Sequence, residues 1–587
     1  DNFIYEMAQW FPRMAAYTDD RGWHHKQFLG RGEFTLEFGD YRVAITVPDD
    51  HVVAATGELQ NGKEVLTNEQ WTRFQQAASS ETPVFIITPE EAKENESTDP
   101  SGKKTWVFEA ENVRDFAFAS SRKFIWDAMH HLSGKNNVLA MSFYPNEAEP
   151  LWSKYSTHAV AHTMDVYSKF SFDYPYPVAI SVNGPVGGME YPMICFNAPR
   201  PLADGTYWGK PANGEQWMHS KYGLISVIIH EVGHNYFPMI VNSDERQWTW
   251  MDEGLNTFLQ YLAEQEWEED YPARRGEPKD MVSYMKSSQQ VAIMSNSESI
   301  LQFGNNAYGK PATALNILRE TILGREVFDF AFRTYSQRWM FKRPQPADLF
   351  RSLEDASGID LDWFWRGWFY STDHVDLGIS NVTEYQMDTL DPVVDNERLK
   401  QDREEEPVSI SKLRNKNLKL LVDQFSELVD FYNDYDPLDV IDEDREKDQK
   451  AIDELEPVDR DLLKLERHFY VVDFENVGGL VMPIILEIEY FNGSKETRHY
   501  PAEIWRQHSD QVSKLLITRE PIRAMRVDPH LQTADVNLAN NVYPPEIQKA
   551  RFKLSQEKLD KNPMQKAGLG QSDDIEESDD EASESTE

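Results

Sequence analysis

The sequence predicts a multidomain α+β protein, and three observations carry that reading. A length of 587 residues exceeds what one hydrophobic core usually serves, so three or four domains are expected. Apolar residues alternate with period two from about residue 27 to 110 and again from about 468, which is the signature of strands and hairpins. Between about 215 and 375 the apolar period is instead helical.

The elements follow in chain order. GEFTLEFGDYRVAITVP alternates between polar and apolar and is punctuated further on by DD, NG and PSG turns, so residues 1–112 read as a β-rich domain. The chain opens at Asp1 with neither an initiator Met nor a signal-peptide layout, and this domain reads as truncated at its start, in a fragment or processed form. From about 115 the period reads as helical in FASSRKFIWDAMHHL and SKYSTHAVAHTMDVYSKF, followed by the apolar strand PVAISV and the segment GPVGGMEYPM. Helices then dominate, among them KYGLISVIIHEVGHNYF and MDEGLNTFLQYLAEQEWEE, and residues 113–375 form the expected α/β core domain. Residues 376–467, with DVIDEDREKDQKAIDELE at their heart, read as an acidic helical linker region of solvated helices. Strands return in HFYVVDFENVGG and VMPIILEIEYFNGSKETRHYPAEI, where Asn492-Gly493 marks a tight hairpin, so a β-sandwich-like domain is expected over 468–570. The last stretch, 571–587, has no basic residue and only Ile575 as a large apolar side chain, and reads as a disordered acidic tail.

Composition narrows the possible functions. Hydrophobic residues make up 40% of the chain, with 16 Trp, 25 Tyr and 31 Phe, which supplies several packed cores. A net charge of −41 repels nucleic acid and anionic membrane surfaces, so neither is expected as a partner. No apolar run reaches the ~18 residues of a membrane span. The single cysteine, Cys195, excludes an intramolecular disulfide framework and reads as a packed apolar side chain.

The chemistry lies in His230-Glu231-Val232-Gly233-His234, an H-E-x-x-H segment that follows the apolar run LISVII. Residues four apart share a helix face, so both imidazoles reach one ion while Glu231 stands beside it as a general base. This is the pattern of a zinc hydrolase holding one Zn2+ per chain. A catalytic zinc takes a third protein ligand and keeps one position open. Glu253, in WTWMDEGLNTF with eighteen residues between it and His234, is the candidate. His158 and His162 share the helical spacing but lack an adjoining Glu, and they read as structural, as does the His130-His131 pair.

Taken together, GGMEYP at 187–192, HEVGH at 230–234, Glu253 before Gly254 and AYGKPA at 307–312 resemble the aminopeptidase N family of gluzincin metallopeptidases, which also contains the leukotriene hydrolases. The resemblance covers approximately residues 1–375. It implies a thermolysin-like α/β catalytic domain after the β-rich one. It also implies that Gly187, Gly188, Met189 and Glu190 bind substrate from an edge strand, with Glu190 holding the free amine. Tyr191 stands where the family usually has Asn. Tyr308 matches the family tyrosine that stabilises the oxyanion.

The implied activity is zinc-dependent removal of N-terminal residues from peptides with a free N-terminus, by a water that Glu231 activates, with no covalent intermediate. Two alternatives stay open in the sequence. A thermolysin-like zinc endopeptidase needs no amine anchor, and a non-catalytic scaffold could keep the same fold. Nothing in the sequence indicates the lipid pocket of an epoxide hydrolase. Members with this short architecture are, by resemblance, mostly bacterial and often exported, and oligomeric state leaves no mark in the sequence.

Overall fold

The pattern over residues 39–113 is played out as two long strands, Gly39–Pro48 and Lys103–Val113, paired antiparallel with the short strand Glu58–Leu59 on the far side. This computed structural model describes residues 2–33, 35–98, 100–208, 214–463, 465, 467–547 and 561–567. The acidic segment 571–587, expected to be disordered, lies outside the described residues.

Two helices interrupt the strand-rich region, Asn68–Ala77 and Pro89–Asn95. Each starts with a capping box, Thr67 with Gln70 and Thr88 with Glu91, in which side chain and backbone satisfy each other's free groups. The hairpin reading of this region passed over those T-x-x-Q and T-x-x-E signals.

The central sheet has six strands, β1 (Val84–Ile87), β2 (Ile125–Ser133), β3 (Asn136–Tyr144), β4 (Val178–Asn183), β5 (Gly188–Tyr191) and β6 (Ile194–Asn197). Their spatial order is β5-β6-β4-β3-β2-β1, with β3, β4 and β6 parallel and the rest antiparallel. The parallel step from β3 to β4 is bridged by helix α1 (Leu151–Phe170), as such a step requires.

One expectation fails here. Residues 118–132, read as helical, form the strand Phe118–Ser121 and nearly all of β2. Nearly all of β2 is buried on both faces, so its apolar residues run on without the alternation that marks a half-exposed strand.

Helices α2 (Lys221–Gly233) and α3 (Thr249–Trp267) pack on each other and on α1, and α2 also lies against β5, β6 and β4. Leu224, Ile225, Ile228 and Ile229 of α2 are fully buried with Leu255 and Leu259 of α3. Each such side chain contributes roughly 1.5–3 kcal/mol on leaving water. Helix α4 (Lys310–Ile317) closes the far side of α3.

Beyond residue 376 two sheets face each other. Leu377–Tyr385, His468–Asn476 and Gln511–Thr518 form one, and Lys495–Tyr500, Ile484–Tyr490, Ile522–Val527 and Val542–Tyr543 the other. Tyr470, Val472 and Phe474 alternate inward and are buried, as are Leu486, Ile488 and Met525 opposite. Gly493 turns the Asn492-Gly493 hairpin at φ 83°. Residues 377–385, read as part of the acidic linker, are thus a strand of the C-terminal sheet, where Tyr385 pairs with Phe469. The chain between those two residues forms helices such as Pro392–Glu405 and Asp442–Glu454, with no buried residue. No helix of the described residues is long and apolar enough to cross a membrane.

Candidate active site

The Ser220 hydroxyl accepts the Gly223 amide at 2.8 Å and opens α2, whose apolar run fixes which face points into the core. His230 and His234 then fall on one face at the C-terminal end, where the exposed carbonyls of a helix favour a cation. Glu253 projects from the N-terminal part of α3 against them.

The donor atoms of His230, His234 and Glu253 converge. His230 Nε2 lies 3.1 Å from Glu253 Oε2 and 3.1 Å from His234 Nε2, and His234 Nε2 lies 3.4 Å from the same oxygen. Donors about 2.0–2.1 Å from a tetrahedral zinc stand roughly 3.3 Å apart, so the triangle has the size of one ligand face. The other ring nitrogens fix the tautomers. His230 Nδ1 donates to Gln260 Oε1 and His234 Nδ1 to the Phe237 carbonyl, each at 2.9 Å, so each neutral ring turns a bare lone pair inward. Two lone pairs and a carboxylate oxygen at this spacing repel one another unless a cation sits among them. Burial alone would lower the pKa of His234, but Glu190, Asp252 and Glu253 push it well above the usual imidazole range. The pocket therefore demands positive charge, and the residues present fit a zinc ion.

Several supporting residues were not anticipated from the sequence. Asp252 places Oδ1 2.9 Å from His234 Nδ1, beside the Phe237 carbonyl. Gln260, held by Glu264 at 2.8 Å, orients His230, and Asn256 donates to the His230 carbonyl at 2.8 Å. Gln260 lies seven residues after Glu253, two turns along the same helix face, so helical spacing alone points to it.

Glu231 and Glu190 lie beside the triangle, with donor atoms of Glu190, Glu231 and His234 within 4.8 Å of one another. Glu231 Oε2 and Glu190 Oε1 are buried, and neither has a hydrogen-bond partner among the described residues. Burial pushes Glu231 up to about 8, with Glu253 and Glu33 raising it further and His234 opposing. Burial likewise holds Glu190 well above the usual carboxylate range. A cation nearby favours the ionised form of both. Glu190 sits on β5, the edge strand, between Met189 and Tyr191. A side chain at Gly188 would meet Glu231 Oε1 at 2.4 Å, whereas one at Gly187 meets nothing within 4 Å. Tyr191 is fully buried and points to the core.

A second carboxylate, Glu33, arrives from the N-terminal region and groups with Glu190 and Glu245 within 4.8 Å. Arg246 fixes its segment by donating to the carbonyls of Arg31 at 3.0 Å and Gly32 at 2.9 Å. Gly32 has φ +70°, and a Cβ there would lie 2.4 Å from the Glu245 carbonyl. No local pattern in the sequence announces Glu33. Tyr308 enters from the turn Gly304–Gly309 and donates to Glu253 Oε1 at 2.6 Å.

The remaining histidines stay apart from this site. His158 is exposed on α1, and His162 bonds the Ala263 carbonyl at 2.8 Å. His130 bonds Asn137 at 3.0 Å on β2, and His131 lies within the same strand. Cys195 is buried on β6, where burial pushes its thiol far above the ordinary range and leaves it unreactive.

The family model described as Peptidase family M1 domain matches residues 155–368. Glutamyl aminopeptidase of Bos taurus is 24% identical over 261 residues, covering 42% of this chain and 26% of that protein. Aminopeptidase 2 of Candida albicans is 22% identical over 306 residues, covering 49% of this chain and 32% of that protein. The chain thus aligns with only about a quarter to a third of the length of these curated relatives. Among solved structures, Legionella pneumophila aminopeptidase A in complex with aspartic acid matches with a TM-score of 0.51 at 11% identity, over 85% of this chain and 44% of that one, a likeness of fold. With the H-E-x-x-H helix, the Glu253 helix and the edge strand all in place, residues 155–368 are similar to the peptidase family M1 domain, and the chain resembles aminopeptidases over that stretch.

Proposed function

We propose that this protein is a zinc-dependent aminopeptidase acting on peptides with a free N-terminus, its activity carried by a catalytic domain over 113–375. The observation that supports this most is the placement of buried Glu190, whose Oε1 has no hydrogen-bond partner among the described residues, beside both Glu231 and the His230–His234–Glu253 triangle.

His230, His234 and Glu253 would hold the ion, oriented by Gln260, the Phe237 carbonyl and Tyr308. Zinc supplies Lewis acidity there, polarising the scissile carbonyl and acidifying water. Glu231 Oε2, with no other partner, takes the proton of the attacking water and later returns it to the leaving amine. Tyr308 Oη is the hydrogen-bond donor for the developing oxyanion. Glu190, with Glu33 behind it, receives the substrate ammonium, and a cleft that pairs an ammonium with a buried carboxylate discriminates against blocked N-termini and internal bonds. An endopeptidase would have no use for a buried carboxylate backed by a second, half-buried one at that position. A scaffold would have no need to keep Glu231 and Tyr308 aimed at the donors.

The test joins metal content to turnover. Mass spectrometry is expected to find one zinc per chain, and free-amine aminoacyl-coumarins to be cleaved while their N-acetyl twins are not. Glu231→Gln is expected to keep the zinc and lose nearly all turnover. A variant that retained wild-type turnover would remove Glu231 from the role of base.

A further inference from the structure

A cavity of about 200 Å³ opens beside the donor triangle, floored by His230, Glu231 and Tyr308. It lies on the His230 side, whereas Glu190 and Glu33 crowd the His234 side. A peptide whose ammonium rests on Glu190 and whose first carbonyl meets the triangle therefore sends its leaving portion into this cavity.

Two arginines line it. The Arg275 guanidinium stands 4.6 Å from the centre of the Tyr308 ring, and that of Arg274 4.9 Å from the Trp217 ring. Ring stacking positions them without neutralising them, and neither makes a hydrogen bond or ion pair among the described residues. The acid sharing their wall, Glu264, is engaged elsewhere, accepting from Ser226 at 2.6 Å and Gln260 at 2.8 Å, and burial pushes it up to about 7. Burial also lowers the pKa of Arg275, with the Arg274 charge acting in the same direction and Tyr308, Glu253 and Glu264 only partly opposing it, so an incoming anion would relieve both arginines. Other arginines buried in this domain are matched, Arg114 by Glu245 at 2.8 Å and Arg319 by Asp329 at 2.7 Å. Two unmatched guanidinium groups in one cleft next to the reacting centre are a receptor for a carboxylate.

We propose that Arg275, assisted by Arg274, binds a carboxylate on the leaving side of the substrate. The substrate class is then short peptides whose α-carboxylate falls in this cavity, or longer ones with an acidic second residue. This rests on the aminopeptidase reading and adds what that reading leaves open, the chemistry favoured just beyond the cleaved bond.

The experiment compares kcat/KM for Ala-Ala against Ala-Ala amide, and for Ala-Asp amide against Ala-Asn amide, on the wild type and on Arg275→Gln, Arg274→Gln and Arg275→Lys. The wild type is expected to prefer the carboxylate member of at least one pair by roughly ten- to hundredfold. The first pair reports a terminal carboxylate and the second a side-chain one. The preference should fall towards parity in Arg275→Gln, fall partly in Arg274→Gln, and survive best in Arg275→Lys, which keeps the charge. Parity in the wild type, or a preference untouched by both neutral variants, would overturn the proposal. If no peptide or aminoacyl-coumarin is cleaved, the aminopeptidase reading has failed instead. Calorimetric titration of the zinc-loaded protein with Ala-Ala and its amide then still decides the cavity, and equal affinities would sink it.

Discussion

Tyr308 reaches the donor triangle through one hydrogen bond, 2.6 Å to Glu253 Oε1, so its phenol already points at the ground where an oxyanion would form. Removing that hydroxyl deletes a donor worth about 3 kcal/mol in a transition state. Tyr308→Phe is expected to lower kcat by roughly a hundredfold with zinc content unchanged; an unaltered kcat would return Tyr308 to a structural role. Glu190 tests the other end of the substrate. Glu190→Ala is expected to reduce kcat/KM for free-amine peptides by roughly ten- to hundredfold, and to narrow their lead over N-acetylated ones, because a charge-assisted contact in a dry cleft is lost. An equal effect on both substrates would mean that Glu190 does not read the N-terminus. Glu33, behind it, shows how one residue can matter without any local motif, since Arg246 and the left-handed turn at Gly32 bring it there.

At the scale of elements, α2 and α3 bring the site together because one presents its histidines at its C-terminal end and the other its glutamate near its N-terminal end. The sheet beneath carries its own buried charge. Asp127 on β2 accepts hydrogen bonds from Thr157 and Tyr144, yet burial pushes its carboxyl up to about 7. The folded protein thus holds this proton more tightly than the unfolded chain, where the group titrates near 3.8. Between those two values stability falls as pH rises, by at most about 1.4 kcal/mol per pH unit from this residue. Asp127→Asn cannot ionise, so its urea-denaturation free energy should lose that slope across pH 4 to 7 relative to the wild type. Parallel curves for the two proteins would show that Asp127 is ionised in the fold. The same strand explains the helical reading of residues 118–132, since a strand covered on both faces offers no alternation to detect.

For the whole molecule, the long excursion between Tyr385 and Phe469 is expected to be dispensable, because those residues already pair as neighbours and its helices bury nothing. Replacing residues 387–467 with a two-residue Asn-Gly turn should preserve the hairpin and leave peptide kcat/KM within about twofold, since a tight turn closes adjacent antiparallel strands without a long loop. Thermal melting and peptide kinetics on the shortened chain check this. A large loss of activity would show that the excursion docks on the catalytic domain.

By itself the sequence singled out His230, His234 and Glu253 as candidate metal donors, Glu231 as the candidate base, and the helices that carry them, because H-E-x-x-H, the spacing to Glu253 and the apolar period are all local patterns with a direct geometric meaning. It also marked β5 and Tyr308, through short segments whose order along the chain resembles a known family. Only the tertiary structure decided the rest. Glu33, Asp252 and the two cavity arginines acquire their places at the site from packing between segments apart in the chain, and a buried or unpaired charge is visible only once its neighbours are placed.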